Sequence, residues 1–170
     1  MSSNKYKPHI VILPEDDANR QIVVGFISYQ NIDHRCIDIL NCAGGWIKAV
    51  AEFENNIIPE MRTYPLKVVI LLIDFDEKED RLTDIKDKIP ENLKDRVFVL
   101  GVFSEPEKLK KEIGSYEKIG EQLAKECYDN THTLWQHRLL SHNQSELERI
   151  SSSKINLNGD PLTVKQIIFN

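Results

Sequence analysis

The sequence has no apolar run long enough to span a bilayer. Its longest unbroken aliphatic stretch, residues 68–73, is far shorter than the roughly 18 residues that a transmembrane helix needs. The first residues, M-S-S-N-K-Y-K-P, lack the apolar core of a signal peptide. Cys36, Cys42 and Cys127 are odd in number and form no C-x-x-C pair, which favours a reducing compartment over a disulfide framework. We therefore expect a cytoplasmic protein with no membrane association.

The chain also lacks an excess of basic residues. Its 22 Lys and Arg against 27 Asp and Glu give a formal net charge of -5, whereas domains that bind nucleic acid by bulk electrostatics usually carry a clear positive charge. Any nucleic-acid affinity would have to come from a local basic patch, a dimer or a partner. With 170 residues, 41% of them hydrophobic, the chain is long enough for one buried core and too short for two ordinary domains.

Several common catalytic patterns are missing as well. The sequence has neither a P-loop nor a G-x-G-x-x-G motif, so a glycine-rich phosphate cradle is not indicated. His132, His137 and His142 recur every five residues, and this spacing turns each side chain about 140° from the last on a helix. They cannot share one helix face as metal ligands, and we expect structural or surface roles for them.

Residues 68–76, V-V-I-L-L-I-D-F-D, dominate the pattern that is present. An aliphatic run of this length, rich in β-branched residues, predicts a strand that is buried on both faces of a sheet. Asp74 and Asp76 follow it at once. Because side chains on a strand alternate with a period of two, we expect both carboxylates to project to the same side where the chain leaves the sheet.

Three further apolar runs predict strands at residues 9–13, 35–40 and 96–103, and helical patterns separate the four runs. Such alternation indicates an α/β fold with a mostly parallel four-stranded sheet and helices on both faces. We assign residues 1–130 to this domain and residues 131–170 to a C-terminal helix and tail packed on it. Within that tail, residues 131–150 are expected to be mostly helical, followed by a loop rich in Ser, Asn and Gly.

Acidic side chains follow two of the predicted strands. Glu15 comes after the first strand, and Asp74 and Asp76 come after the third. Open α/β folds bind ligands at the carboxyl ends of parallel strands, and converging carboxylates repel one another unless a positive charge lies among them. Mg²⁺ is usually held by one or two carboxylates together with waters and phosphate oxygens. The residues therefore predict a Mg²⁺ or Mn²⁺ site, although acids such as Asp16 and Asp17 also serve as ordinary helix caps.

The motifs L-P-E-D-D at residues 13–17, A-G-G at 43–45 and D-F-D at 74–76 resemble the TOPRIM domain over roughly the first two-thirds of the chain. That resemblance implies a glutamate at position 15, a magnesium-binding D-x-D pair at Asp74 and Asp76, and chemistry on nucleic-acid phosphodiesters, with DNA preferred to RNA. A small stand-alone member of the OLD nuclease type is the version that fits the chain length. It would imply a partner ATPase, and a homodimer is also possible.

A weaker resemblance, to response-regulator receiver domains, uses some of the same residues differently. Glu15 and Asp16 would then be magnesium ligands, Asp74 would accept a phosphoryl group, and Ser104 would be the hydroxyl residue after the fourth strand. Against it, residues 55–65 lengthen the interval before Asp74, and no Lys-Pro pair of a fifth strand is present. A third hypothesis is a non-catalytic interaction subunit that retains the TOPRIM fold.

Overall fold

The computed structural model describes residues 2–169. Met1, where the predicted domain 1–130 begins, and Asn170, where the predicted tail 131–170 ends, lie outside the described residues. Four strands form one sheet in the order β2-β1-β3-β4, and every neighbouring pair runs parallel. The strands are β1 (His9–Pro14), β2 (Ile37–Ile39), β3 (Lys67–Leu72) and β4 (Val97–Leu100). The α/β prediction is confirmed, and the sheet is wholly parallel.

Eight α-helices occur among the described residues. They are α1 (Asp17–Ile27), α2 (Trp46–Glu52), α3 (Ile58–Thr63), α4 (Arg81–Lys86), α5 (Pro106–Ile113), α6 (Tyr116–Asp129), α7 (Gln144–Ser152) and α8 (Val164–Ile168). A π-helical turn, Phe53–Ile57, joins α2 to α3. None of the helices within residues 2–169 combines the length and apolar character that crossing a bilayer requires.

The central strands separate two apolar layers. Leu13, Val69 and Leu71 face one layer, which packs against α2, α3 and α4. Ile12 and Ile70 face the other, which packs against α1, α6 and α8. This alternation is the one expected for strands buried on both faces, and it places helices on both sides of the sheet.

Helices α1 and α6 touch backbone to backbone at two glycines. A Cβ added at Gly25 would lie 2.0 Å from the carbonyl oxygen of Glu117, and one added at Gly120 would lie 1.8 Å from that of Ile22. Neither position has room for a side chain. This contact fixes α1, whose first turn reaches the carboxyl edge of the sheet.

The C-terminal predictions need two corrections. The region before α7 is a series of turns, because the buried carboxylate of Glu126 accepts the backbone N–H groups of Leu134 and Trp135 at 2.8 to 3.2 Å and so holds this segment in a non-helical path. The stretch predicted as a loop is an antiparallel hairpin of β5 (Lys154–Leu157) and β6 (Asp160–Thr163). Its turn is Asn158–Gly159, both with positive φ, a common hairpin signal.

Candidate functional site

The candidate site lies at the carboxyl edge of the sheet, where three chain segments meet. Strands β1 and β3 are adjacent, and the Glu15 N–H donates to the Leu72 carbonyl oxygen at 2.9 Å. The Gly44 N–H, in the turn after β2, donates to the Glu15 carbonyl oxygen at 2.8 Å. Gly44 has a φ of 85°, which glycine adopts without strain. The segments that follow the first three strands are therefore in direct contact.

Asp74 is the most deeply buried acid at this edge, with 7% of its surface exposed. Its Oδ1 accepts a hydrogen bond from Asn19 Nδ2 at 3.0 Å, and the same Nδ2 donates to Asp16 Oδ1 at 2.9 Å. Asp16 also caps α1 by accepting the Asn19 backbone N–H. The backbone N–H of Asp74 donates to Glu15 Oε2 at 2.7 Å. Asn19 thus joins acids that follow two different strands.

The alternation expected for Asp74 and Asp76 does not continue through both residues. Asp76 has a φ of 48°, outside extended geometry, and its carboxylate pairs with Arg81 at 2.6 Å. The Arg81 guanidinium also donates to the Asp74 carbonyl oxygen at 2.6 Å and lies 4.8 Å from the Trp46 ring. Since Asn19 belongs to α1 and Trp46 to α2, the two aspartates take partners from opposite faces of the sheet. The expectation of a common direction is wrong for this reason.

The electrostatic environment of the edge disfavours further negative charge. Burial raises the pKa of Asp74 to about 8, and although the Asn19 hydrogen bond opposes the rise, the charges of Asp16, Glu15 and Asp76 add to it. Burial also raises the pKa of Glu15, against the effect of its hydrogen bond from the Asp74 N–H. The Asp74 carboxyl is therefore mostly protonated at pH 7.

The acidic side chains of the edge do not form a ready-made metal site. Within residues 2–169, no three His, Cys, Asp or Glu side chains are grouped to hold a metal ion, because Glu15 is turned to the Asp74 backbone and Asp76 to Arg81. Asp74 and Asp76 lie close in the sequence, but their carboxylates are held by different partners, Asn19 and Arg81. Mg²⁺ commonly uses one or two carboxylates and completes its shell with water and phosphate oxygens, so a site that uses both aspartates requires Asp76 to leave Arg81.

The other sequence candidates lie elsewhere. His137 bonds to Glu112, and His142 packs 4.7 Å from the Phe75 ring, where burial lowers its pKa to about 4. Ser104 is 2% exposed and donates its hydroxyl to Glu77 at 3.2 Å. None of the hydrogen bonds of these three side chains reaches Asp74.

Two residues of the site were not expected from the sequence. Asn19 lies 55 positions from Asp74, and no local pattern links them. Arg81 belongs to a highly charged segment, residues 77–88, yet it is 4% exposed. Its guanidinium packs on the Trp46 ring, a favourable contact for arginine that the sequence does not reveal.

The chain matches no protein-family model, no curated protein and no solved structure.

Proposed function

We propose that the carboxyl edge binds Mg²⁺ or Mn²⁺ and that the protein cleaves phosphodiester bonds of nucleic acid, with DNA preferred to RNA. Asp74 and Asp76 are the ligand residues of this proposal, which requires the Asp76 carboxylate to turn from Arg81 towards Asp74 when the ion binds. Glu15 is the third acid of the site. The observation that carries it is the buried carboxyl of Asp74, which lies among other acids at the exit of the central strands. A divalent cation would replace the proton that this carboxyl otherwise retains.

The neighbouring residues have distinct roles in the proposed site. Asn19 orients the Asp74 carboxyl, and Arg81 holds both the Asp76 carboxylate and the Asp74 carbonyl oxygen. Glu15 fixes the backbone at Asp74, and burial raises its pKa, the direction that suits a carboxyl group acting as a proton donor. The cation itself would neutralise charge that develops on a phosphate during phosphoryl transfer.

The charge of the chain bears on its partners. With a net charge of -5, the protein would repel nucleic acid over most of its surface. We therefore include a basic partner in the proposal, either an ATPase of the kind that the TOPRIM resemblance implies or a second copy of the chain. A cytoplasmic location, where such complexes act on DNA, belongs to the same proposal.

The receiver alternative receives less support from the geometry. The raised pKa of Asp74 does not separate the two hypotheses, because both a phospho-accepting aspartate and a metal ligand must lose the proton. The Ser104 hydroxyl, however, is directed to Glu77 and not to Asp74. This contact is the observation that favours the cation site over phosphoryl transfer to Asp74.

Metal binding gives the first test. Titration of the protein with Mn²⁺, followed by electron paramagnetic resonance, should show one bound ion whose affinity rises up to tenfold per pH unit between pH 6.5 and 7.5, because binding releases one proton. Asp74→Asn and Asp76→Asn should each abolish binding. Asp84→Asn, which changes an exposed aspartate of α4, is the matched control and should bind normally.

Cleavage is tested separately with supercoiled plasmid and Mn²⁺. Nicking that disappears in Asp74→Asn and persists in Asp84→Asn would support the nuclease function. Binding of Mn²⁺ without nicking, alone or with a co-purifying partner, would favour a non-catalytic subunit. Absence of Mn²⁺ binding would overturn the proposal. Labelling of Asp74 by acetyl phosphate in the presence of Mg²⁺, with no nicking, would overturn it in favour of a receiver.

A further inference from the structure

A separate feature of the domain lies next to the acidic edge, between the sheet and the helices α1, α6, α7 and α8. Here the structure contains a cavity of about 190 Å³. Its walls are almost entirely apolar and include Ile12, Ile22, Leu123, Leu147 and Ile168. Well-packed cores contain few voids larger than a water molecule, so a cavity of this size requires an explanation.

One wall of the cavity carries a polar atom without a partner. Asn19 lines the cavity and is 0% exposed. Its Nδ2 is used by Asp16 and Asp74, whereas its Oδ1 accepts no hydrogen bond from the residues that the structure describes. A buried amide oxygen without a donor is unfavourable. A donor inside the cavity would correct this.

The size and charge of the cavity limit what it can hold. An engineered apolar cavity of about 150 Å³ is known to bind benzene, so the present volume suits one six-membered ring. Lys165, at the wall, already donates to Asn130 Oδ1 at 2.6 Å and to the Tyr128 carbonyl oxygen at 3.4 Å. The Lys165 ammonium is therefore already hydrogen-bonded within the protein.

From these observations we propose that the cavity binds a compact, mainly hydrocarbon molecule, about the size of one six-membered ring, whose single hydroxyl or ring N–H donates to Asn19 Oδ1. The proposal does not depend on the function of the acidic edge. The two sites nevertheless share a side chain, because the amide that would accept from the ligand also donates to Asp74. Binding in the cavity should therefore be visible in the resonance of the Asn19 side-chain amide.

Phenol and benzene make a matched pair of probes for the intact protein. Methyl and side-chain amide NMR spectra should show saturable shifts at Ile22, Leu123 and the Asn19 amide when phenol is added. Phenol should bind between about threefold and tenfold more tightly than benzene, since only phenol can donate to Oδ1. No change of sequence is needed for this comparison, so a failure of a variant to fold cannot obscure it.

A variant that fills the cavity tests whether phenol binds there. Leu147→Phe adds bulk at a partly buried wall position and should weaken phenol binding at least tenfold. Leu82→Phe makes the same change at a partly buried leucine of the other apolar layer and should leave binding unchanged. Thermal unfolding of both variants checks that they fold.

Four results would overturn the proposal. Absence of saturable shifts with either probe would mean that the cavity holds only water or closes. Equal affinities for phenol and benzene would remove the role of Asn19 Oδ1. Tighter binding of decanoate than of phenol would indicate a long acyl chain instead of a ring. Unchanged phenol binding in Leu147→Phe would place the ligand elsewhere.

Discussion

The two ends of β3 each carry a buried cation, and the two cations have different surroundings. Lys67, at the start of the strand, is 2% exposed and pairs with Glu60, whose side chain is 47% exposed. Arg81, beyond the end of the strand, is 4% exposed and pairs with Asp76, whose side chain is also 47% exposed. The exposures of the two pairs are nearly the same, so they form a natural comparison.

The pKa of an acid is shifted in opposite directions at the two ends of β3. The hydrogen bond from Lys67 lowers the pKa of Glu60, as expected for a balanced ion pair. Near Arg81, burial raises the pKa of Asp74 to about 8, and the neighbouring acids add to the rise. The amino end is therefore balanced in charge, while the carboxyl end carries more acid than Arg81 neutralises. A surplus of this kind at a sheet edge is typical of functional sites.

The largest change in the free energy of unfolding is expected when one of the two buried cations is replaced. Arg81→Met should lower the free energy of unfolding by about 3 kcal/mol, because it removes the partner of Asp76 and also the hydrogen bond to the Asp74 carbonyl oxygen, among acids that no other cation of the described residues pairs with. Lys67→Met should cost about 1 to 2 kcal/mol, since Glu60 keeps a second cation, Lys5, at 3.5 Å. Urea unfolding at pH 7 measures both.

The effect of Mn²⁺ on stability should also differ between the two variants. Saturating Mn²⁺ should restore part of the stability of Arg81→Met, since an ion that binds only the folded state stabilises it, and should do nothing for Lys67→Met. Equal losses in the two variants, with equal responses to Mn²⁺, would mean that the two ends of the strand do not differ as described.

The pH dependence of stability is the next largest effect. The raised pKa of Asp74 means that the folded state holds a proton that the unfolded state has released, so stability should fall as the pH rises from 6.5 to 8, by about 1 to 2 kcal/mol. Asp74→Asn should flatten this slope. Urea unfolding at several pH values provides the measurement.

Glu60→Gln is the control at the other end of β3. The lowered pKa of Glu60 gives stability that is complete above the ordinary glutamate pKa and is lost only as the pH falls through the folded value, so the slope between pH 6.5 and 8 should be unchanged. The lowered pKa of His142 likewise changes the stability only below about pH 6.5, the ordinary histidine pKa. A slope that persists in Asp74→Asn would assign it to another group.

The smallest change in stability is expected for an exposed ion pair at the carboxyl edge of the sheet. Lys108 and Glu77 lie 2.8 Å apart, with side chains 48% and 61% exposed, and surface pairs of this type contribute little. Lys108→Met should leave the unfolding midpoint in urea unchanged within error. A clear loss would show that proximity to the edge, and not burial, determines the cost.

The fold could be predicted from sequence where the pattern is local and continuous. The aliphatic run before Asp74 predicts β3, and the spacing of Ile119, Leu123 and Cys127 predicts α6. The turns before α7 could not be predicted, because their backbone is held by the Glu126 carboxylate, a contact that no periodicity reveals. The hairpin at Asn158–Gly159 did have a local signal, which the surrounding serines obscured.

The site was predictable only in part, for a related reason. The acids that follow β1 and β3 were expected at one edge because parallel strands share an edge, and the strand order places them there. Their contacts were not predictable, since Asn19 and Arg81 reach Asp74 through space. The strand alternation also fails at Asp76, where the backbone is left-handed.

The glycine contact between α1 and α6 has a consequence for both sites. Since Gly25 and Gly120 leave no space for a Cβ between the helix backbones, a larger residue at either position would push α1 away from α6 and displace its first turn. That turn carries Asn19, which bonds to Asp74 and also lines the apolar cavity. A substitution at either glycine would therefore disturb both places at once.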